Sequence, residues 1–366
     1  MSNNFCRYLS NGYSIFSKSN TDKVFVRPCC MFNGLYELNS KLQQNRLQYD
    51  NIKDWTMDCD SCRQLEHIGQ KSLRQTANDW IDDVEHTDPV TLDIHLDNIC
   101  NSACITCDEN FSSLWITEKE KLFKSKNLYN FDVYNVDEKI NKILNSLNLK
   151  ELRYIKFFGG EPLFSDTHLK ILKKLPCPEN VTVHYTTNGS IYPNEETLET
   201  WKKFHTIIFA VSLDGVEDQF NYIRWPLPWH KVQNNLIRLR QAQIHNVLFR
   251  VEFTVNFLNA WYFDRLETWV NENFVSNMFG DKTELNIHLY YGNNFNLEYM
   301  PEDLKNLILE KYSTDHRIHQ LVKSIVPQDD RFLFWNYVNL WDNHRKLPWQ
   351  NAFPDIQSLI PPGIVS

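Results

Sequence analysis

A chain of 366 residues with 42% hydrophobic content is long enough for a catalytic domain and a smaller module. Its formal charge of −8, without a Lys/Arg block, argues against an extended nucleic-acid surface, because phosphate binding draws on clustered cations. No apolar run reaches the ~18 residues of a membrane span, and Met1-Ser2-Asn3-Asn4 lacks a secretion signal's apolar core. The expected setting is therefore the cytoplasm, where nine cysteines point to metal or redox chemistry rather than disulfides.

Residues 1–75 read as a small cysteine-bearing module with few apolar runs. Cys6 lies near its start, and Cys29-Cys30 follows a strand-like segment, Val24–Pro28. Cys59-Asp60-Ser61-Cys62 is a C-x-x-C pair. Four of these five thiols suffice for one [4Fe–4S] cluster or one zinc ion, and spacing does not choose between them. From Thr91 the texture changes, and β-branched or aromatic runs alternate with helical stretches. Strands are expected at Thr91–Leu96, Leu152–Phe158, Val181–Thr187, Thr206–Leu213, Val247–Asn256 and Glu284–Tyr290. Between them fall helices at Asp137–Ser146, Asp166–Lys174, Asn194–Phe204, Lys231–Gln243 and Trp261–Phe274. Such alternation predicts parallel strands with crossover helices, and six units suit an open, partial barrel. Pro301–Ser366 reads as helices with an aromatic, proline-marked end. Cys177, followed by Pro178, reads as a structural loop cysteine.

The candidate chemistry sits at strand ends, where an α/β barrel carries its active site. Cys100, Cys104 and Cys107 stand as C-N-S-A-C-I-T-C behind the first barrel strand. Iron–sulfur clusters are ordinarily held by four thiolates, so three leave one iron open to a small molecule. Gly159-Gly160-Glu161-Pro162 follows the second strand, and paired glycines let backbone approach a ligand. Thr186-Thr187-Asn188-Gly189 and Ser212-Leu213-Asp214-Gly215 end the third and fourth strands. Alone, each reads as a plain turn; their order behind the cysteines gives them weight. In Arg250–Asn256 apolar and polar residues alternate, with Val251, Phe253 and Val255 on one face and Arg250, Glu252, Thr254 and Asn256 on the other. The last strand repeats this with Asn286, His288 and Tyr290, and the third offers His184 and Thr186. Polar faces turned inward imply a lumen for polar ligands, since unpaired polar groups are costly to bury. An edge strand with a solvated face is the plain alternative. His288 alone fits a structural histidine as well as a catalytic one.

Together these motifs resemble the radical SAM superfamily. The resemblance implies an α/β fold, a partial (β/α)6 barrel with an N-terminal cysteine-rich module and a helical C-terminal tail. It divides the chain into 1–88, an auxiliary iron–sulfur module, 89–295, the barrel, and 296–366, a helical extension. It implies a [4Fe–4S] cluster on Cys100, Cys104 and Cys107 that passes an electron to S-adenosyl-L-methionine (AdoMet). The resulting 5′-deoxyadenosyl radical abstracts hydrogen from a substrate. Gly159, Gly160 and Glu161 take the AdoMet amino group, and Asn188, Ser212, Asp214, Arg224 and Asn256 the rest of the cofactor. Glu252, with His288 and Tyr290 across the lumen, is left for acid–base work or for fixing AdoMet and buried water. Thr106 departs from the family's aromatic residue before its third cysteine.

The N-terminal pattern looks like that of a twitch-type group related to SPASM enzymes. It comprises Phe5-Cys6, Cys29-Cys30, Cys59, Cys62, Glu66, Gly69, Ser72 and Arg74, with the later Tyr299-Met300-Pro301-Glu302-Asp303-Leu304-Lys305. The likeness implies a second, auxiliary [4Fe–4S] cluster on Cys6, Cys29, Cys59 and Cys62, with Cys29 chosen over Cys30 as the first residue after the strand. It implies a ribosomally made peptide as substrate, cross-linked, epimerised or oxidised. The alternatives are a small-molecule oxidase or dehydrogenase acting on a sugar, nucleotide or amino-acid derivative, and a non-catalytic electron-transfer protein. A flavodoxin or ferredoxin is the expected electron donor.

Overall fold

The computed structural model describes residues 6–8, 12–17, 23–30, 32, 36–38, 59–67, 71–80, 88–95, 97–124, 136–274, 283–290, 294–328 and 331–360. Phe5, Gly69 and Leu96 lie outside the described residues.

Among these residues the strands form one sheet in the order β3-β2-β1-β4-β5-β6-β7-β8-β9. The strands are β1 (Gly12–Ser17), β2 (Val24–Arg27), β3 (Tyr36–Glu37), β4 (Thr91–His95), β5 (Tyr154–Phe157), β6 (Thr182–Thr187), β7 (Thr206–Ser212), β8 (Val247–Val255) and β9 (Glu284–Leu289). From β4 to β9 every neighbour is parallel and in sequence order. That is the expected partial (β/α)6 barrel, and its strands begin and end within two residues of the sequence reading.

The helices are α1 (Asp60–His67), α2 (Leu73–Trp80), α3 (Ser113–Phe123), α4 (Val136–Ser146), α5 (Thr167–Leu172), α6 (Glu195–Trp201), α7 (Glu217–Ile223), α8 (Trp229–Gln241) and α9 (Phe263–Asn273). The tail adds α10 (Glu302–Lys311), α11 (Arg317–Lys323), α12 (Phe332–Arg345) and α13 (Trp349–Ala352). Among the described residues no helix is long and apolar enough to cross a membrane. Two crossover helices, α3 and α7, escape the sequence reading. α3 buries Glu118 beside Trp115, which breaks its apolar stripe, and α7 is only seven residues long.

The N-terminal strands are built onto the barrel. β1 runs parallel to β4, with Ile15 opposite Ile94, and antiparallel to β2. Ile15, Val24, Val26 and Leu38 belong to the same core cluster as the barrel's Leu92, Ile155 and Val183.

Strand alternation decides what faces where. Val251, Phe253 and Val255 are buried, and Phe253 meets Phe263 of α9 edge-on at 5.0 Å between ring centroids. Phe157 likewise meets His168 of α5. Period two then turns Lys156, Arg250 and Glu252 to the opposite, lumen side. Phe253→Ala should therefore lose roughly 3–5 kcal/mol in urea-unfolding measurements. Phe332→Ala, at a residue 67% exposed, should stay within about 0.5 kcal/mol of wild type.

Candidate functional site

The cysteine loop begins where β4 ends, and surrounding elements bind its backbone. Ala103 N–H donates to Trp225 O at 2.7 Å, and Ile105 N–H to Ile223 O at 2.9 Å, so the loop pairs with the end of α7. Ser112 Oγ donates to Ser102 O at 2.5 Å and Trp115 Nε1 to Cys104 O at 3.0 Å, which ties the loop to α3. Held this way, Cys100 and Cys104 place their sulfurs 3.3 and 3.4 Å from the single hydroxyl of Ser102. Burial, then the neighbouring Cys104, pushes the Cys100 thiol up to about 11. Burial with Cys104 and Cys100 drives Cys107 well above its ordinary value.

Opposite the loop lies a buried ion pair. Arg224 Nη2 is 2.6 Å from Asp214 Oδ2, and its Nη1 reaches Cys104 Sγ at 3.7 Å. Asp214 is fully buried, and its Oδ1 also accepts Thr254 N–H at 2.8 Å. Burial raises the Asp214 pKa against the pull of Arg224. Among the described residues no group of three His, Cys, Asp or Glu side chains converges as ligands of one metal ion. A four-iron cube is a larger object, with ligands further apart. Three thiols on one loop that feel one another's charge, with a guanidinium beside them, are a donor set that fits it.

The glycine pair has a second use besides approach to a ligand. Gly159 has φ +118°, and a side chain there would collide with the His95 ring. A Cβ on Gly160 would lie 2.2 Å from Ile99 O, on the backbone that leads into Cys100. Glu161 is almost fully buried, and its N–H donates to the same Ile99 O at 2.7 Å. Its carboxylate accepts Thr187 Oγ1 at 2.7 Å, Asn188 N–H at 2.7 Å and Leu163 N–H at 3.2 Å. Burial raises its pKa, and these donors oppose the rise. The Asn188 side chain donates to Asn101 Oδ1 at 2.9 Å, and Asn101 donates to Ser190 Oγ at 2.8 Å. The glycine loop, the end of β6 and the cysteine loop are thus one bonded unit.

Ser212 stands opposite Glu252 in the β7–β8 register. Asn256 is fully buried, and its Oδ1 accepts Leu258 and Asn259 N–H, while its Nδ2 has no partner among the described residues. Glu252 accepts from Asn286 Nδ2 at 3.2 Å and bonds His288 Nε2. Burial alone would raise the Glu252 pKa; His288 and Asn286 bring it below the ordinary value. The sequence reading set His288 across the lumen from Glu252. The register corrects this: Thr254 pairs with His288 and Glu252 with Asn286 on adjacent strands. The His288 side chain is 56% exposed. Burial lifts the Tyr290 hydroxyl to about 12, and it feels the charges of Asp108 and Cys107. Tyr290, just past the end of β9, is thus within electrostatic reach of the cysteine loop.

Two lumen residues were missed by sequence reasoning. Asp93, Lys156 and His184 stand in one row across β4, β5 and β6. The alternation of Thr91–His95 and Tyr154–Phe157 carried that signal, but in runs of only four or five residues. His184 bonds Tyr154 through Nδ1, and its buried Nε2 has no partner among the described residues. Burial, then Lys156 and Arg250, holds its pKa well below the ordinary value.

The N-terminal thiols divide between two places. Cys29 packs with Tyr8, Phe32 and Ala77, beside Cys6 and Cys59. Cys6 and Cys62 both act electrostatically on Arg74, which is paired with Glu66 at 2.5 Å; Ser72 Oγ donates to the same carboxylate. Cys30 turns to the lumen row. Burial, then the charge of Asp93, raises its thiol to about 12, with Lys156 and Arg27 opposing the rise. Cys177 precedes the short turn Pro178–Asn180, outside both groups.

Gly160→Ala should cost roughly 1–3 kcal/mol by overpacking. Because the clash falls on Ile99, iron taken up during anaerobic reconstitution should drop along with AdoMet affinity. Full iron content with only AdoMet binding lost would mean that the glycine serves the ligand alone.

Residues 94–259 match the family model described as the radical SAM superfamily. No curated protein matches the chain. Among solved structures the chain is similar to native anSMEcpe with bound AdoMet, at 17% identity and TM-score 0.41, over 65% of this chain and 62% of that one. It is also similar to Streptococcus suis SuiB bound to S-adenosylmethionine, at 12% identity and TM-score 0.37, over 94% and 76% of the two chains. SuiB bound to precursor peptide SuiA matches at 12% identity and TM-score 0.39, over 84% and 66%. The chain spans about three fifths of the length of the first of these, 62%. The cysteine loop, the glycine pair and the buried Asn188, Asp214 and Asn256 all fall inside the segment, residues 94–259, that matches the radical SAM superfamily.

Proposed function

We propose that the protein is an enzyme that reductively cleaves AdoMet and abstracts hydrogen from a substrate held in the barrel lumen. The observation that carries this reading is the bonded unit at the ends of β4–β6. It presents three thiols on one side and the Gly159–Glu161 backbone on the other, with Arg224 fixed against Cys104. A [4Fe–4S] cluster on Cys100, Cys104 and Cys107 would supply the electron that splits AdoMet into methionine and a 5′-deoxyadenosyl radical. The chain's own residues have distinct parts. Arg224, oriented by Asp214, keeps positive charge at Cys104. Glu161 spends its carboxylate on protein donors, so the glycine loop meets the AdoMet amino group through backbone. The open Asn256 Nδ2 offers a buried donor to the cofactor, with Asn188 and Ser212 at neighbouring strand ends.

The lumen face of Asp93, Lys156, His184, Arg250 and Glu252 is proposed to meet the substrate. We read that substrate as a ribosomally made peptide, on the strength of the twitch-like N-terminal cysteine pattern. A small polar molecule is the second reading, favoured by the charged row enclosed in the lumen. Residues 1–88 are proposed to carry an auxiliary [4Fe–4S] cluster on Cys6, Cys29, Cys59 and Cys62. The divergence of Cys30 toward Asp93 supports leaving it out of that set.

Anaerobically reconstituted protein, given AdoMet and dithionite, should release 5′-deoxyadenosine. The Cys100→Ala/Cys104→Ala/Cys107→Ala variant should release none, and full release from it would remove the central claim. Iron in the wild type should approach about eight per chain, the content of two cubes. Cys29→Ser should lower it to about four, while Cys30→Ser should leave it unchanged. About four irons with one zinc in the wild type would make the N-terminal site structural.

A further inference from the structure

The tail helix α12 lies outside the segment that matches the family, yet it forms a wall of the cysteine loop. Tyr337, Trp341 and Arg345 recur every fourth residue, so they share one face of the helix. At the end of that stripe the Arg345 guanidinium lies over Trp225, Trp115 and Trp341, at 4.5, 4.7 and 5.2 Å from the ring centroids. Its Nη2 donates to Ala103 O at 3.1 Å, inside the loop between Cys100 and Cys104. The aromatic box holds the guanidinium in place by cation–π contacts and strips water from it. Further along the stripe, the Tyr337 ring meets Phe295 at 5.2 Å, Trp341 at 6.2 Å and Trp115 at 6.3 Å. Cys107 packs against the same Ala103–Trp115–Trp341 cluster as Tyr337.

The Tyr337 hydroxyl is buried and has no hydrogen-bond partner among the described residues. Leaving a buried hydroxyl unpaired costs about 1–3 kcal/mol, so the site should present it with an acceptor. The charged and titratable groups around it are Arg345, Tyr290, Cys104 and Cys107. Arg345 can only donate, and Tyr290 makes no bond to it. Of these groups, the sulfurs at Cys104 and Cys107 are the ones that remain to accept, and Cys107 packs on the same cluster as Tyr337.

We propose that Tyr337 is a positioning residue that donates a hydrogen bond to a sulfur of the cluster held by the cysteine loop, with Arg345 pinning the loop to α12. This rests on the reading that Cys100, Cys104 and Cys107 hold a [4Fe–4S] cluster. A hydrogen bond to cluster sulfur favours the more negative, reduced state and so raises the reduction potential.

The test uses the full chain, anaerobically reconstituted without AdoMet, and Tyr337→Phe, which removes one oxygen and leaves the ring packing. The Cys29→Ser background confines the signal to the barrel cluster. The midpoint potential, followed by electron paramagnetic resonance, should move negative in Tyr337→Phe at unchanged iron content. The reduced wild-type cluster in D2O should show a deuteron coupling that the variant loses. Unchanged potential and coupling at full iron content would overturn the proposal and leave the cluster assignment standing. Absence of iron from Cys100, Cys104 and Cys107 in the wild type would overturn both. If Tyr337→Phe should unfold, Arg345→Lys provides the second arm. It keeps the charge but not the planar stack, and the proposal requires a weaker deuteron coupling from the untouched Tyr337; an undiminished coupling counts against it.

Discussion

One buried carboxylate organises this site. Glu161 sits between the glycine loop, the end of β6 and, through its own N–H, the carbonyl just before Cys100. Taking a carboxylate out of water costs several kcal/mol. Hydrogen bonds to a charged acceptor return about 1.5–3 kcal/mol each, and Glu161 accepts three. The balance is favourable only while all three donors stay in place. The cysteine loop, the glycine turn and the β6 end are therefore fixed together or not at all. Gly160 must be glycine for this reason among others, since the carbonyl that Glu161 grips lies where its Cβ would be.

The barrel interior follows from the same economy of buried polar groups. β4, β5, β6 and β8 turn their apolar side chains to the helices, which leaves Asp93, Lys156, His184, Arg250 and Glu252 facing one another. Opposite charges offset part of the desolvation, and lumen water or ligand must supply the rest. The N-terminal strands extend this logic. Cys29 and Cys30 stand in the bend and turn that follow β2, and they part there. Cys29 falls in with Cys6 and Cys59, and Cys30 meets Asp93. A pair that looks redundant in sequence becomes two residues in two environments.

The parts of the fold legible in the sequence were those set by local periodicity and local turns. The barrel strands could be drawn because branched and aromatic residues alternate with polar ones between glycine- and asparagine-marked ends. β1 was missed because its six residues, Gly12–Ser17, carry serine and glycine where a barrel strand carries valine. At the site, the residue types and their order named the cysteine loop, the glycine pair and Asn188. What the side chains do there was not legible. Glu161 as an internal tie and Arg224 against Cys104 depend on how loops from separate parts of the chain meet, and Glu252 beside His288 depends on register across strands. The strand pattern gives which residues share a face, but not which partner stands opposite.

The tail is the extreme case of that limit. Arg345 and the Ala103 carbonyl it grips are 242 residues apart, and no local pattern links them. In sequence, α12 is an aromatic-rich helix that any core could use. In the fold, its Tyr337–Trp341–Arg345 stripe meets Trp115 and Trp225, which flank the cysteine loop on the α3 and α7 sides. The loop is thereby bounded by contacts of two kinds. Glu161 and Asn188 hold it from neighbouring strands that can form as soon as the barrel does. Arg345 holds it from a helix 242 residues further along the chain. A loop secured only from the strand side would leave Trp115, the Ala103 carbonyl and the α7 end open to water. The distant helix therefore supplies what the barrel alone does not: a dry outer wall, with a donor aimed at the sulfurs.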